Sequence, residues 1–250
     1  MGTLNGKVAL ITGAARGQGK AEATRFAQEG ASVVVADILD DDARVVADSL
    51  GDAATHVMLD VSSESSWVGA IDATYAQFGG LDVLVNNAGV LHFSPIASTS
   101  LEDYRRVIDV NQVGVFLGMR AAAERMRDGG SIINISSIDG LFGMPGMIAY
   151  CASKFAVRGM TKVGALELAA RGIRVNSIHP GIIDTPMLNH PEVQAAIGMV
   201  MDSVPLRRAA DPNEVAELAV YLASDASSYS TGAEFVVDGG LTAGKDFPTS

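Results

Sequence analysis

A strand that runs straight into three closely spaced glycines and on into a helix leaves a chain few folds to adopt. Residues 7–12 (KVALIT) form an apolar run, and Thr12-Gly13-Ala14-Ala15-Arg16-Gly17-Gln18-Gly19 continues it without a break. Helix formers then extend to residue 28, and Gly30 stands where a C-terminal cap belongs. Gly13, Gly17 and Gly19 carry no Cβ, so the backbone can turn tightly and approach a ligand. The helix start beyond them presents free N–H groups and a partial positive charge, which suits a pyrophosphate. The spacing differs from G-x-G-x-x-G, and glycine triplets also occur in plain turns. The strand before and the helix after favour phosphate binding.

The same rhythm recurs along the chain. Apolar, β-branched runs at 31–36, 56–59, 81–86, 131–136, 173–178 and 234–237 follow the first. They lack polar alternation, so both faces of their sheet must be covered. Helices are predicted at 17–28, 64–78, 101–126, 149–171 and 213–222, the last opened by Asp211-Pro212. Asp40-Asp41-Asp42 reads as a solvated loop or a helix start. The order predicts an α/β fold: one domain over 1–250, with a seven-stranded parallel sheet and helices on both faces. Residues 181–206 break the pattern, with Pro186, Pro191 and scattered apolar residues including Met187, Leu188, Ile197, Met199, Val200 and Met201. Ligands of such sheets bind outside the carboxyl ends of the strands, so this segment is expected to be a substrate lid.

Composition narrows the function classes. The formal net charge is -11 and no basic stripe is present, which argues against nucleic acid as a partner. No apolar run approaches the ~20 residues of a membrane span. A lone cysteine, Cys151, excludes an intrachain disulfide and fits a reducing compartment. The first residues carry no signal pattern, so a soluble cytoplasmic protein is expected.

Asp37 ends the second strand about 20 residues beyond the glycine loop. A carboxylate there can accept both ribose hydroxyls of an adenosine and repel a 2′-phosphate, favouring NAD over NADP. It could instead only cap the following helix. Arg16 complicates the choice, because a basic residue in the loop can hold a 2′-phosphate.

Further landmarks accumulate in order: Asp60-Val61 after the third strand, Asn86-Asn87-Ala88-Gly89 after the fourth, Asn111 in the long helix, Ser137, Tyr150-Cys151-Ala152-Ser153-Lys154, and Pro180-Gly181. With Thr12–Gly19, this set resembles the short-chain dehydrogenase/reductase family in order and spacing, from about Leu4 to Gly240. The resemblance implies a Rossmann-type domain and assigns roles by position. Asp60 and Val61 would contact the adenine, and Asn87, Ala88 and Gly89 would line the cofactor groove. Ile183 would offer its backbone, and Thr185 its hydroxyl, to the nicotinamide carboxamide. Asn111 would hold a water linking Lys154 to solvent. Relatives usually form homotetramers through the helices expected at 101–126 and 149–171.

Tyr150 and Lys154 also have a physical case of their own. Four residues apart on a helix, they share one face. A free phenol titrates near ~10, and a neighbouring ammonium and an oxidised nicotinamide ring would both favour its ionised form. Tyr150 would then pass a proton to or from a substrate oxygen, with Ser137 hydrogen-bonding that oxygen. The cofactor carries the hydride, so no metal is required.

The substrate is less legible. Leu141, Met144 and Met147 after Ser137, with Met187 and Leu188 in the lid, suit a bulky hydrophobic alcohol or ketone. Stretches at 131–141, 177–187 and 221–240 look similar to bacterial hydroxysteroid dehydrogenases, which implies a steroid or another cyclic secondary alcohol. The alternatives are a β-ketoacyl-carrier-protein reductase using NADPH, opposed by Asp37 and the net acidity, and a nucleotide-sensing binding module without catalysis. Such a module should lack one of Ser137, Tyr150 or Lys154; the chain has all three.

Overall fold

Successive side chains of a strand point to opposite faces, so a strand apolar throughout needs cover on both. The computed structural model describes residues 2–189, 198 and 200–244. Its strands are β1 (Val8–Thr12), β2 (Ser32–Asp37), β3 (Ala54–Met58), β4 (Val83–Asn86), β5 (Ser131–Ile135), β6 (Arg174–Pro180) and β7 (Glu234–Val237). They form one all-parallel sheet in the order β3-β2-β1-β4-β5-β6-β7, a Rossmann-like arrangement. The helices are α1 (Gly17–Gln28), α2 (Asp40–Leu50), α3 (Glu64–Phe78), α4 (Leu101–Ile108), α5 (Gly114–Arg125), α6 (Ile148–Leu168) and α7 (Pro212–Ala223). Ile11, Val33, Val35 and Ile133 pack in one core with Phe26 of α1, Val46 of α2 and Leu222 of α7. Leu10, Val34, Leu84 and Ile132 pack in the other with Trp67 of α3, Leu117 of α5 and Ala165 of α6. Neighbours along each strand thus serve different cores, each large buried side chain contributing about 1.5–3 kcal/mol.

Two helices differ from expectation in extent, and the acidic run takes the helix-start alternative. The acidic run at Asp40 opens a full helix, α2, whose three aspartates complement the positive helix start. Its buried face is only Ala43, Val46 and Ala47, a stripe too sparse to stand out in the sequence. The helix expected over 101–126 is interrupted by a wide π turn, Asp109–Val113, between α4 and α5. The helix expected to run to 171 becomes a tighter 3₁₀ turn at Ala169–Arg171.

The expected lid is partly in view. Residues 190–197 and 199, with His190, Pro191, Ile197 and Met199, lie outside the described residues. The two ends of the segment are stitched together. The Asp184 N–H donates to the Ala210 carbonyl and the Ala210 N–H to the Ile182 carbonyl, both at 2.9 Å. The Leu206 N–H donates to the Gly239 carbonyl at 3.1 Å. Among the described residues, no helix is long and apolar enough to cross a membrane.

Candidate active site

The site lies where β1, β4, β5 and β6 end. Thr12 closes β1, and its Oγ1 accepts the N–H groups of Asn87 and Ala88, each at 3.0 Å. Asn87 returns the contact, donating Nδ2 to the carbonyls of Thr12 (2.9 Å) and Gly13 (3.2 Å). Its Oδ1 accepts from Gln18 Nε2 at 3.2 Å. This lattice holds the loop against β4 so closely that side chains would collide. A Cβ on Gly13, where φ is +66°, would lie 2.7 Å from Ala88 Cα, and one on Gly19 would lie 2.4 Å from the Gly13 carbonyl oxygen.

The start of α1 is chemically open. Arg16 is its N-cap and makes no side-chain cap, as is also the case at the starts of α2 and α6, whereas Ser63, Ser100 and Asp211 cap α3, α4 and α7. Uncapped N–H groups at a glycine-rich helix start fit a pyrophosphate. Thr185 reaches this loop from the lid side: a Cβ on Gly17 would lie 3.4 Å from Thr185 Cβ. Arg16 is exposed beside it.

Asp37 joins the end of β2 both to the turn ahead of α2 and to the glycine loop. Its Oδ1 accepts the Leu39 N–H at 3.0 Å, a local turn, while its Oδ2 accepts the Ala15 N–H of the glycine loop at 2.9 Å. A carboxylate has about four acceptor positions, so two remain for ribose hydroxyls. Asp60 likewise commits Oδ1 to the Ser62 N–H (2.9 Å) and Oγ (2.6 Å). The neighbouring Val61 carbonyl is fixed by Trp67 Nε1 at 2.9 Å.

At the other end of the crevice, α6 carries Tyr150 and Lys154 one turn apart. Lys154 is only 3% exposed, and its Nζ lies 5.4 Å from the centre of the Tyr150 ring and donates to the Ile135 carbonyl at 2.9 Å. Asn111 sits in the π turn, fully buried, its Oδ1 accepting the Val90 N–H (2.8 Å) and its Nδ2 donating to the Val90 carbonyl (2.9 Å). Nδ2 also reaches Ser153 Oγ at 3.3 Å. Gly89 lies between the groups: a Cβ there would be 3.4 Å from Asn111 Oδ1 and 3.7 Å from Lys154 Nζ. The widened turn thus brings Asn111 and Lys154 to opposite sides of Gly89, and π turns often mark such sites.

Ser137 ends the extended segment after β5. Its Oγ accepts the Asp139 N–H at 3.0 Å and faces Asp139 Oδ2 at 3.4 Å. Its carbonyl meets His179 Nδ1 at 2.9 Å, and His179 Nε2 meets Ser177 Oγ at 2.9 Å. Pro180 ends β6, and the Gly181 N–H donates to the Val237 carbonyl at 2.8 Å. Ile183 is buried at the parallel bridge to Ala210.

The electrostatics correct one expectation. In the chain alone the Tyr150 phenol is raised, not lowered: burial comes first, then the Asp139 charge, with Ser137 pulling the other way. Burial lowers Lys154 to about 8, opposed by Asp139. A lysine drawn toward neutrality cannot alone ionise a buried phenol. Asp139 is the group that sequence reasoning missed. It is 7% exposed, raised by burial to about 6, and its Oδ1 has no partner. Only its place two residues after Ser137 could have signalled it. Glu22 was also missed: wholly buried under the loop, it is raised by burial to about 8 and bonded at Oε1 by Gln18 (3.1 Å).

The apolar candidates occupy two segments. Leu141 and Met144 are half-buried and Met147 is buried ahead of α6. Phe93, not singled out from sequence, covers Gly146 there, and the Ser94 N–H donates to the Gly146 carbonyl at 2.8 Å. On the lid side, Met187 is exposed and Leu188 half-buried in the turn Pro186–Asn189.

Known proteins agree with this architecture. A family model described as enoyl-(acyl carrier protein) reductase matches residues 13–242. A 3-alpha-(or 20-beta)-hydroxysteroid dehydrogenase of Mycobacterium tuberculosis is 54% identical over 248 residues, 97% of this chain and 92% of its own length. A cyclopentanol dehydrogenase of Comamonas is 45% identical over 97% of this chain and all of its own. A crystal structure of a short-chain type dehydrogenase/reductase from Mycobacterium marinum superposes with a TM-score of 0.92 at 39% identity, covering 96% of this chain and 97% of that one. The sheet order, the glycine loop between β1 and α1 and the Ser137, Tyr150 and Lys154 cluster therefore stand in a familiar frame: the chain belongs to the short-chain dehydrogenase/reductase family.

Proposed function

We propose that this protein is an NAD-dependent dehydrogenase that interconverts a hydrophobic, cyclic or steroid-like secondary alcohol and its ketone. The observation that carries the reading is the convergence of Tyr150, Lys154 and Ser137 at the strand ends, beside a helix start left uncapped for a pyrophosphate. A bound nicotinamide supplies the hydride for reduction and accepts it in oxidation. Gly13, Gly17, Gln18 and Gly19 would hold the diphosphate, with Arg16 beside them. Asp37 would take the ribose, Asp60 and Val61 the adenine, and Asn87, Ala88 and Gly89 the groove wall. Pro180, Gly181, Ile183 and Thr185 would meet the carboxamide end.

Tyr150 then passes the proton at the substrate oxygen, as base in oxidation and as acid in reduction. Ser137 Oγ hydrogen-bonds the same oxygen and steadies its developing charge. Lys154 opposes the phenolate charge, and Asn111 keeps a polar path from Lys154 toward solvent. Lys154 and a bound oxidised nicotinamide would together favour the phenolate against the burial that raises the phenol in the chain alone. Leu141, Met144, Met147, Met187 and Leu188 would wall the substrate. The names of the relatives, a hydroxysteroid and a cyclopentanol dehydrogenase, support a ring-bearing alcohol.

A homotetramer fits the exposed apolar residues Phe116 of α5 and Phe155, Val163 and Leu166 of α6, which would be costly to leave in water. A single catalytic unit over 1–250 and a cytoplasmic setting, consistent with one half-buried cysteine, complete the reading. The test is oxidation of cyclopentanol and of a 3α-hydroxysteroid, each with NAD+ and with NADP+, followed by the absorbance of the reduced cofactor. NAD+-linked turnover of at least one is expected; inactivity toward every cyclic and steroid alcohol offered would remove the substrate assignment.

A further inference from the structure

Asp139 stands out because the mechanism above does not use it. It is a carboxylate enclosed beside the reacting groups, with Oδ2 turned to Ser137 Oγ at 3.4 Å and Oδ1 unpartnered. Buried carboxylates are normally paired or fully hydrogen-bonded, and this one is neither. Its position is imposed by the turn after β5: the Asp139 N–H is fastened to Ser137 Oγ at 3.0 Å. The segment itself is clamped. Ser136 Oγ donates to the Lys154 carbonyl at 2.9 Å, and Arg158 Nη1 donates to the Gly140 carbonyl at 2.7 Å. The turn that carries the carboxylate is thus fixed beside the reacting groups.

The charged and titratable groups around it are few. From α6 come Tyr150, Cys151 and Lys154, each of which feels its charge. From β6 comes His179, bonded to the Ser137 carbonyl at 2.9 Å and shifted downward by burial. Arg158 is committed to Gly140 and to Glu234 of β7 at 2.9 Å. Asp139 is thus the negative member of a cluster whose working pair, Tyr150 and Lys154, must shed a proton before it can act as a base.

We propose that Asp139 is a positioning residue whose ionised carboxylate, turned to Ser137 Oγ and near enough to Tyr150 and Lys154 to act on both, keeps that pair protonated and biases the site toward ketone reduction at neutral pH. The inference rests on the proton-transfer role given to Tyr150. A neighbouring negative charge makes removal of a proton from either the phenol or the ammonium harder, so the first deprotonation of the coupled pair moves to higher pH whichever group loses it. The bias concerns the pH at which each direction runs and leaves the overall equilibrium unchanged. Asp139 also competes for the Ser137 proton, so a substrate carbonyl must take that hydrogen bond over from it.

The test uses Asp139→Asn, which keeps the shape and an acceptor oxygen but removes the charge. Two readouts are paired. In the cofactor-free protein labelled with 13C-tyrosine, one of five tyrosine signals is assigned to Tyr150 through Tyr150→Phe. In the wild type, that signal should bend near pH 6, where Asp139 ionises, and the bend should vanish in Asp139→Asn. A bend that survives the substitution belongs to His179 and overturns the proposal, as does a flat wild-type signal, which needs no variant to fold. In the holoenzyme, the pH profile of kcat/KM for alcohol oxidation should move about one unit lower in Asp139→Asn. A profile that stays in place while kcat/KM falls uniformly marks a packing role and overturns the proposal. Full turnover by Tyr150→Phe would defeat the enzymatic reading while leaving the titration of Asp139 intact, so the two failures are distinguishable.

Discussion

At the glycine-loop end of the crevice, most polar groups other than the buried Glu22 are already held by the protein, whereas at the Tyr150 end three buried titratable groups cluster around the reacting position. Thr12, Asn87 and Asp37 staple the loop through hydrogen bonds of 2.9–3.2 Å, so the surface proposed for a pyrophosphate is already braced by the protein. Tyr150, Lys154 and Asp139 instead sit with their protonation displaced by burial. The first region is the one proposed to bind the cofactor, and binding rewards rigidity. The second is the one proposed to move protons, and proton transfer rewards groups whose charge states are easily exchanged. Substitutions at the two ends should therefore fail in different ways.

The largest separation should come from Tyr150→Phe. It deletes the proposed proton donor and leaves the loop untouched, so kcat should fall about 10²–10⁴-fold while NADH affinity, read by fluorescence titration, stays near wild type. Comparable loss of affinity would mean that the two ends are not independent.

Glu22 sharpens the contrast from the binding end. Its folded pKa is raised from 4.5 to about 8, so the native state holds that proton more tightly than the unfolded chain. Its stabilising effect is full below about 4.5 and is lost as pH climbs toward 8, at up to about 1.4 kcal/mol per pH unit. Glu22→Gln should be indifferent to this window, and at pH 8 its melting temperature should exceed that of the wild type by roughly 5 °C or more. Parallel melting curves across the range would show that Glu22 ionises freely.

Much of the frame was legible because it repeats. Seven apolar runs announced seven strands, and the glycine loop needed only the strand before it to be placed. The groups that set charge were not legible, since burial is a property of packing. Asp139 and Glu22 are ordinary acidic residues in a sequence, and only the enclosed turn after β5 and the tight seating of α1 make them unusual. The π turn at Asn111 lies where the helix formers thin out, in the β-branched run Val107–Val115 with Gly114 just beyond the turn, and Asn111 is held there by contacts with Val90 and Ser153 that no periodicity displays. Helix α2 escaped through its small apolar stripe, and Lys154 was credited with lowering a phenol whose burial outweighs it.

The smallest expected effect, and the finest test of the division, is at Asp37. One oxygen staples the loop through Ala15 and the other bonds Leu39, so Asp37→Ala removes a structural contact together with a charge. Loss of the staple should weaken NAD+ and NADP+ alike. Loss of the charge should help only NADP+, whose 2′-phosphate no longer meets a carboxylate and has the exposed Arg16 within the same loop. The ratio of the two kcat/KM values therefore isolates the electrostatic part, and it should move about 10-fold toward NADP+, equivalent to about 1.4 kcal/mol. An unchanged ratio, with both cofactors weakened equally, would leave Asp37 as a staple alone and shift cofactor choice elsewhere in the loop.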